Sequence, residues 1–176
     1  MGFYHDHLVP HLVNFAMRNH LLQAYRERIV PLAEGRVLEI GIGSGMNLPL
    51  YTDRATEILG LEPHPKLLEM ASQKPNRDRT RLIEGSAESI PLDSASIDMV
   101  VTTWTLCSIP DVLRALSEMR RVLKPDGRLL LVEHGLAPEE YVRKWQHRLT
   151  PYGSGSRADA ISTVQLRSWS KAPDFE

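Results

Sequence analysis

The chain has 176 residues, of which 42% are apolar and 24% are charged, and its formal net charge is −1. This length suits one domain with a real core, and the charge gives no overall reason to expect nucleic acid or an anionic membrane as a partner. The single cysteine, Cys107, excludes an internal disulfide framework and fits a reducing compartment. The apolar run over residues 8–17 is too short and interrupted for a signal peptide or a spanning helix, so we expect a cytoplasmic protein with no transmembrane segment.

The first segment, residues 3–31, is predicted to be a helix because apolar residues after Pro10 recur at close to helical spacing. Arg26 falls on the face that is predicted to be polar. We favour a cover helix that packs beside a sheet.

A lid is the alternative for this segment, with Tyr4, His5 and His7 folding over a ligand and lining a substrate pocket. His7 and His11 are spaced like a pair of metal ligands, but Pro10 breaks the turn between them and no third ligand is evident. We therefore predict no metal site.

Residues 37–48 (VLEIGIGSGMNL) have the pattern of a buried strand that stops at alternating glycines and then enters a helix. Glycine is used where a chain turns tightly or where a ligand must approach the backbone. The spacing of Gly41, Gly43 and Gly45 is G-x-G-x-G, whereas the dinucleotide fingerprint is G-x-G-x-x-G. Glu39 precedes the first glycine, where a carboxylate would repel a pyrophosphate and would suit a cationic ligand end, such as the ammonium of a methionine moiety.

The second predicted strand, residues 57–61, ends at Glu62 and Pro63. An acid at this position of a doubly wound sheet can accept hydrogen bonds from both hydroxyls of a ribose. The alternative is an acid that caps the next helix through the helix dipole. We favour the ribose interpretation because the glycine motif lies upstream at the expected distance.

Strand three is predicted over residues 81–85 and strand four over residues 97–101. Ligands of open α/β sheets bind outside the carboxyl ends of the strands, so Trp104 and Cys107 are expected near the ligand. A role as a large core residue is an equal alternative for Trp104. Cys107 is expected to be a small buried hydrophobic residue.

Residues 108–111 resemble a capping box that opens a helix, whose apolar stripe runs over residues 112–123. Residues 124–127 (KPDG) predict a turn, and residues 128–133 predict strand five. His134 follows this strand, either as a structural histidine or as a substrate-pocket residue.

The alternation of strands and helices predicts a doubly wound, mostly parallel α/β sheet with right-handed crossovers. The ligand crevice should lie beside strand one, where the strand order reverses. We divide the chain into an N-terminal helical cover segment (1–34), a core (35–150) with a last helix over 139–149, and a poorly ordered tail (151–176).

The motifs between residues 35 and 135 resemble those of class I S-adenosylmethionine (SAM)-dependent methyltransferases, with their Rossmann-like fold. Residues 2–4, 103–110 and 133–138 are similar to the ubiquinone/menaquinone-type and methyltransferase-like protein 7-type branch. The resemblance implies SAM as the cofactor and a small or lipid-like methyl acceptor, thiols included.

The resemblance also implies a set of site residues, although it identifies no catalytic group. Ser86 stands where many members of the family have Asp, which weakens a side-chain contact to the adenine. Candidates for the substrate pocket are Tyr4, His5, Trp104 and His134. The implied cofactor-binding residues are Glu39, Gly41, Gly43, Gly45, Asn47, Glu62, Pro63, Ser86, Ala87, Glu88, Thr103 and Trp104.

The family fold normally closes its sheet with two more strands, of which the last is antiparallel. Only residues 160–166 are a weak candidate, so the chain resembles a shortened or altered version of a longer enzyme. If both strands are absent, strand five is an exposed edge through which the protein could self-associate. Two alternatives to a methyltransferase stay open: a non-catalytic, SAM-binding partner protein with an incomplete sheet, and an NAD(P)-dependent oxidoreductase.

Overall fold

The computed structural model describes residues 20–133 and 165–168. Tyr4, His5, His134 and the predicted last helix lie outside this part of the chain. The helices and strands, in chain order, are α1 (His20–Ile29), β1 (Gly35–Ile40), β2 (Ala55–Glu62), α2 (Pro65–Ala71), β3 (Thr80–Glu84), β4 (Ile97–Thr103), α3 (Val112–Val122), β5 (Leu123–Val132) and β6 (Gln165–Ser168).

The described strands form one sheet in the order β3-β2-β1-β4-β5-β6. The first five are parallel to their neighbours, and β6 is antiparallel to β5. This arrangement confirms the predicted doubly wound, mostly parallel sheet. The strand order reverses between β1 and β4, so their carboxyl ends open a crevice at that point.

Both faces of the sheet are buried, which explains the continuous apolar runs in the strands. Successive side chains of a strand point to opposite faces. Val37 accordingly packs in the cluster that contains Leu22 of α1, whereas Leu38 packs in the cluster that contains Met119 of α3.

The α-helix predicted directly after the glycines is wrong. Between β1 and β2 the chain forms turns and one short 3-10 helix, Leu48–Leu50. Gly45 has a φ of +75°, so a right-handed helix could begin only after it, and β2 already begins at Ala55. The intervening segment forms the 3-10 helix Leu48–Leu50 and turns, and Pro49 has no N–H to donate to a helical hydrogen bond.

The predicted capping box at Ser108 is also wrong, because α3 begins later. Ser108 ends a 3-10 helix, and Ile109 is extended with φ −88° and ψ 122°, as expected for a residue that precedes a proline. Asp111 is the N-cap instead, and its side chain accepts a 3.0 Å hydrogen bond from the N–H of Arg114.

Strand β5 begins at Leu123, before the predicted turn. Its register against β4 jumps from the pair Ile97–Leu123 to the pair Met99–Arg128. Residues 124–127 therefore bulge out of the ladder, and the predicted strand continues beyond this bulge to Val132.

Strand β6 pairs with β5, the strand that was expected to be an exposed edge of an incomplete sheet. Leu130 of β5 pairs with Leu166, and Arg128 pairs with Ser168. Strand five is thus not an edge strand, which removes the reason for expecting self-association there. The remainder of residues 151–176 lies outside the described residues, so the poorly ordered tail stays a prediction.

Within residues 20–133 and 165–168, no helix has both the length and the apolar character that crossing a membrane requires. The same residues contain no cluster of three His, Cys, Asp or Glu side chains suited to holding a metal ion.

Candidate functional site

A cavity of about 500 Å³ lies at the carboxyl ends of β1, β2 and β4. It is therefore at the point where the strand order reverses. Its lining residues are Arg26, Glu39, Gly41, Ile42, Gly43, Ser44, Met46, Asn47, Glu62, Pro63, His64, Leu67, Thr103, Trp104, Thr105, Cys107 and Ser108.

A smaller cavity of about 110 Å³ adjoins this main cavity, with which it shares five lining residues: Gly41, Glu62, Pro63, Thr105 and Ser108. It extends past the end of β3 to Ser86 and Ala87. The two cavities together follow the carboxyl edge of the sheet from β4 to β3.

Ten of the twelve cofactor-binding residues implied by the sequence line one of the two cavities. Gly45 and Glu88 do not. A Cβ atom on Gly45 would lie 3.0 Å from the Cα atom of Ala71 in α2. The Glu88 carboxylate accepts hydrogen bonds from the N–H of Asp111 at 2.8 Å and the hydroxyl of Ser86 at 2.9 Å. Both residues therefore brace the walls of the site.

Gly43 presents bare backbone to the main cavity. Its φ is +55°, and among the residues that the structure describes, a Cβ atom built there would have only the carbonyl oxygen of Gly41 within 4 Å, at 3.9 Å. A ligand can therefore approach this peptide closely. Gly41 has a different role, because its Cβ atom would lie 2.3 Å from Cγ2 of Thr105. Its missing side chain lets the loops after β1 and β4 pack together.

Glu39 is a buried acid at the cavity wall, with 2% of its surface exposed. Asn47 Nδ2 donates to its Oε1 at 2.9 Å, and the Tyr51 hydroxyl donates to its Oε2 at 2.8 Å. Burial raises the pKa of Glu39 to about 7, an effect that these hydrogen bonds and the charge of Arg26 only partly offset. The Oδ1 atom of Asn47 is buried with no hydrogen-bond partner among the described residues. This wall therefore favours a ligand group that is cationic and donates hydrogen bonds.

Glu62 is held at the junction of the two cavities by backbone groups. Its Oε2 accepts the N–H of Gly43 at 3.0 Å, and its Oε1 accepts the N–H of His64 at 3.1 Å. Burial raises the pKa of Glu62, and these hydrogen bonds oppose the increase. Each carboxylate oxygen can accept a further hydrogen bond, so Glu62 can bind a pair of hydroxyl groups.

Trp104 packs in the hydrophobic core and also lines the main cavity, so the core position and the position near the cavity are compatible. Its φ of +53° is an outlier for a bulky residue. The backbone N–H of Trp104 donates a hydrogen bond to the carbonyl oxygen of Val132 at 2.7 Å. The Glu133 carboxylate accepts a hydrogen bond from the backbone N–H of Thr105 at 2.9 Å. The end of β5 therefore holds the strained segment in place.

Arg26 is a site residue that the sequence interpretation missed. It was assigned to the polar face of the first helix, yet only 1% of its surface is exposed. Its guanidinium carbon lies 4.8 Å from the centre of the Trp104 ring. The sequence does indicate this buried position, because Leu22 and Ile29 lie four residues before and three residues after Arg26, on the same helical face.

The expectation that Cys107 is buried is wrong. Its side chain is exposed and lines the main cavity from the 3-10 helix Leu106–Ser108. Burial of the thiol and the nearby charge of Glu133 still raise the pKa of Cys107. Cys107 therefore lies at the cavity beyond the carboxyl ends of the strands, where the topology predicted it.

The buried acid predicts a pH dependence of stability. The pKa of Glu39 rises on folding from an ordinary 4.5 to about 7, so its contribution to the free energy of unfolding is present at low pH and lost as the pH rises through 7. At about 1.4 kcal/mol per pH unit, this loss amounts to about 3 kcal/mol. We expect Glu39→Gln to flatten the dependence between pH 5 and 8, measured by urea unfolding.

Glu84→Gln provides the matched control, because Glu84 is exposed on β3. It should keep the wild-type slope. The same slope in Glu39→Gln as in the wild type would show that Glu39 does not titrate in this range.

The site belongs to a chain with recognisable relatives. A family model described as "Methyltransferase domain" matches residues 38–131. The uncharacterized methyltransferase YcgJ of Bacillus subtilis is 37% identical over 113 residues, which are 62% of this chain and 44% of that protein. The thiol S-methyltransferase TMT1B of Rattus norvegicus is 32% identical over 124 residues, which are 67% of this chain and 50% of that protein. The chain thus spans about half the length of these curated relatives.

The fold also has solved counterparts. The crystal structure of a SAM-dependent methyltransferase from Thermotoga maritima, described as a possible histamine N-methyltransferase, aligns with a TM-score of 0.64 and 27% identity. The alignment covers 92% of this chain and 75% of that one. With the family match over residues 38–131, these likenesses show that the chain belongs to the methyltransferase domain family of class I SAM-dependent methyltransferases.

Proposed function

We propose that this chain transfers the methyl group of SAM to a small-molecule or lipid-like acceptor. The observation that carries this proposal is the placement of two buried acids, Glu39 and Glu62, on one open crevice beside the bare backbone of Gly43. This combination suits a ligand with a cationic end and a ribose, and the family supplies the identity of that ligand.

The residues of the crevice fit SAM at three points. Glu39 and the unpartnered Oδ1 of Asn47 would accept hydrogen bonds from its ammonium group. Glu62 would accept hydrogen bonds from its ribose hydroxyls. The smaller cavity beside Ser86 and Ala87 would hold its adenine.

SAM supplies a methyl group that is already activated by the positive charge on its sulfur. The chain's own residues then have to orient the acceptor and exclude water. Trp104 lines the cavity, and the Arg26 guanidinium lies over its ring.

The acceptor is proposed to be small or lipid-like because the main cavity has apolar wall residues, among them Met46 and Leu67. Thiols are included because the relative TMT1B is a thiol S-methyltransferase. Tyr4, His5 and His134 stay predictions as further pocket residues.

A turnover screen tests the proposal. The full chain is incubated with SAM and with thiols, quinols, phospholipids or histamine, and methylated product and S-adenosylhomocysteine are measured by mass spectrometry. We expect product with at least one acceptor class. Product formation should be lost in Glu62→Ala, which removes the proposed ribose contact.

SAM binding without turnover across all acceptor classes would contradict catalysis and favour the non-catalytic alternative. That alternative was based on an open sheet edge, which β6 covers. The NAD(P)-dependent alternative predicts fluorescence transfer to bound NADH, whereas the family match predicts none.

A further inference from the structure

A third cavity, of about 200 Å³, lies between the end of α2, the start of β3 and the 3-10 helix Leu48–Leu50. It shares no lining residue with the two cavities of the candidate site. The proposed methyl transfer therefore makes no use of it. Its lining residues are Leu48, Ala71, Ser72, Lys74, Thr80 and Leu82.

Hydrogen bonds fix the frame of the third cavity. Asn76 Nδ2 donates to the carbonyl oxygen of Leu48 at 2.5 Å, and Thr80 Oγ1 donates to the carbonyl oxygen of Asn76 at 2.7 Å. The turn after α2 is thereby tied both to the 3-10 helix and to β3. Because the cavity is formed without a ligand, little has to be ordered when a ligand binds.

The floor of the third cavity is apolar. Leu48 and Ala71 each have 1% of their surface exposed, and the half-buried Leu82 packs against the same hydrophobic cluster. An apolar cavity of about 150 Å³ binds a molecule of the size of benzene. The third cavity therefore has room for one aromatic ring or a short aliphatic chain.

Lys74 adds a single cation to this apolar surface. It is half-buried, and its ammonium has no hydrogen-bond or ion-pair partner among the residues that the structure describes. The hydroxyl groups of Ser72 and Thr80 already donate to backbone carbonyl oxygens at 2.7 Å. Lys74 is thus the side-chain donor that remains for a ligand on the described lining, and an ammonium is best matched by a carboxylate.

We propose that the third cavity is a second ligand site, which binds a small monocarboxylic acid with an aromatic or short aliphatic body. The body occupies the apolar floor, and the carboxylate lies at Lys74. The volume limits the size of the ligand, and the single unpaired cation sets its charge.

The third cavity contacts the glycine turn of the candidate site through Gly45. A Cβ atom on Gly45 would lie 3.0 Å from atoms of Leu48, Ala71 and Lys74, all of which line the third cavity. A ligand packed on these three residues holds them against Gly45, and thereby holds the turn that presents Gly43 to the main cavity. Binding at the two sites is therefore favourably coupled, and each ligand raises the affinity for the other by the same factor. This coupling rests on the proposed function, whereas the site itself does not.

An NMR titration of the full wild-type chain with benzoate tests the site. We expect saturable shifts of the backbone amide signals of Ser72, Lys74 and Thr80, because these residues surround the ligand. Benzyl alcohol has nearly the same shape without the charge. It should bind about tenfold more weakly than benzoate, as expected for the loss of a hydrogen bond between charged groups.

Variants assign this preference to Lys74. Lys74→Met removes the ammonium but keeps the aliphatic stem that packs near Gly45. Its affinity for benzoate should fall about tenfold, to that for benzyl alcohol, whose binding should not change. Lys74→Arg should keep most of the preference.

Lys66→Met is the matched control, since Lys66 lies on α2 and lines none of the three cavities. It should bind both ligands like the wild type. Thermal unfolding reports whether each variant is folded. If Lys74→Met does not fold, the comparison of benzoate with benzyl alcohol in the wild type and in Lys74→Arg decides.

Calorimetry with SAM, with and without saturating benzoate, tests the coupling. We expect benzoate to raise the affinity of the wild type for SAM about fivefold, at the lower end of typical coupling between sites. SAM should in turn raise the affinity for benzoate by the same factor.

The proposal would be overturned by benzoate shifts confined to the main cavity, or by displacement of benzoate by SAM. Equal affinities for benzoate and benzyl alcohol would also overturn it, in favour of a neutral apolar occupant, as would wild-type binding of benzoate in Lys74→Met. An affinity for SAM that benzoate does not change would reject the coupling. A chain that binds benzoate but not SAM would reject the proposed function and leave the second site in place.

Discussion

Replacing Glu62 with alanine is expected to weaken SAM binding at least about a hundredfold, because hydrogen bonds to a charged group contribute roughly 1.5–3 kcal/mol each and two are proposed here. The carboxylate is 7% exposed and is fixed by the N–H groups of Gly43 and His64. It is therefore oriented before the ligand arrives, and no other acid lines both cavities among the described residues. Calorimetry with SAM, on protein whose fold is checked by thermal unfolding, measures the loss.

Glu84→Ala is a matched control for this experiment. Glu84 is the register partner of Glu62 on the neighbouring strand, but its side chain is exposed and lines neither cavity. We expect its affinity for SAM to equal that of the wild type. Unchanged binding in Glu62→Ala, or equal losses in both variants, would reject Glu62 as the ribose ligand.

The sheet could be predicted from the sequence because its strands are buried on both faces. A run such as residues 97–101 is apolar apart from Asp98, and such nearly continuous apolar runs followed by turn or helix signals indicate a parallel α/β fold. The position of the crevice then followed from topology, without any knowledge of contacts. This is why Glu39, Glu62 and Trp104 could be placed near one another.

The errors have a common physical origin in contacts between distant segments. The loop after β4 is held by Glu133, whose carboxylate accepts the N–H groups of Thr105 at 2.9 Å and Leu106 at 3.1 Å. Local sequence around residues 105–108 carries no trace of this contact, so the exposed position of Cys107 could not be inferred. The absence of a helix after Gly45 depends in the same way on how soon β2 begins.

Arg26 is a different kind of error, because the information was local. The spacing of Leu22, Arg26 and Ile29 places the three residues on one face. The general preference of arginine for the surface favours the opposite, exposed position. Buried charges are rare, and those that line a cavity are therefore candidates for ligand binding.

Alanine substitutions at Gly43 and Gly41 are expected to separate binding from stability. In Gly43→Ala the new methyl group enters open space at the cavity, so the fold loses only about 1–2 kcal/mol for the left-handed backbone. The same methyl group occupies the surface that the ligand approaches, and overpacking of about 1–3 kcal/mol corresponds to a loss of SAM affinity of roughly tenfold to a hundredfold. Urea unfolding and calorimetry on the same samples measure the two effects.

In Gly41→Ala, by contrast, we expect the loss of stability to be the larger effect and the loss of SAM affinity the smaller one. Its Cβ atom would lie 2.3 Å from Cγ2 of Thr105 and 2.6 Å from Oγ1, so the steric overlap adds about 1–3 kcal/mol of destabilisation to the backbone strain. Thr105→Ala removes both of these atoms, and the double variant should regain part of the lost stability. If Gly43→Ala binds SAM like the wild type, or if Thr105→Ala does not relieve Gly41→Ala, then the two glycines do not have the separate roles that their surroundings imply.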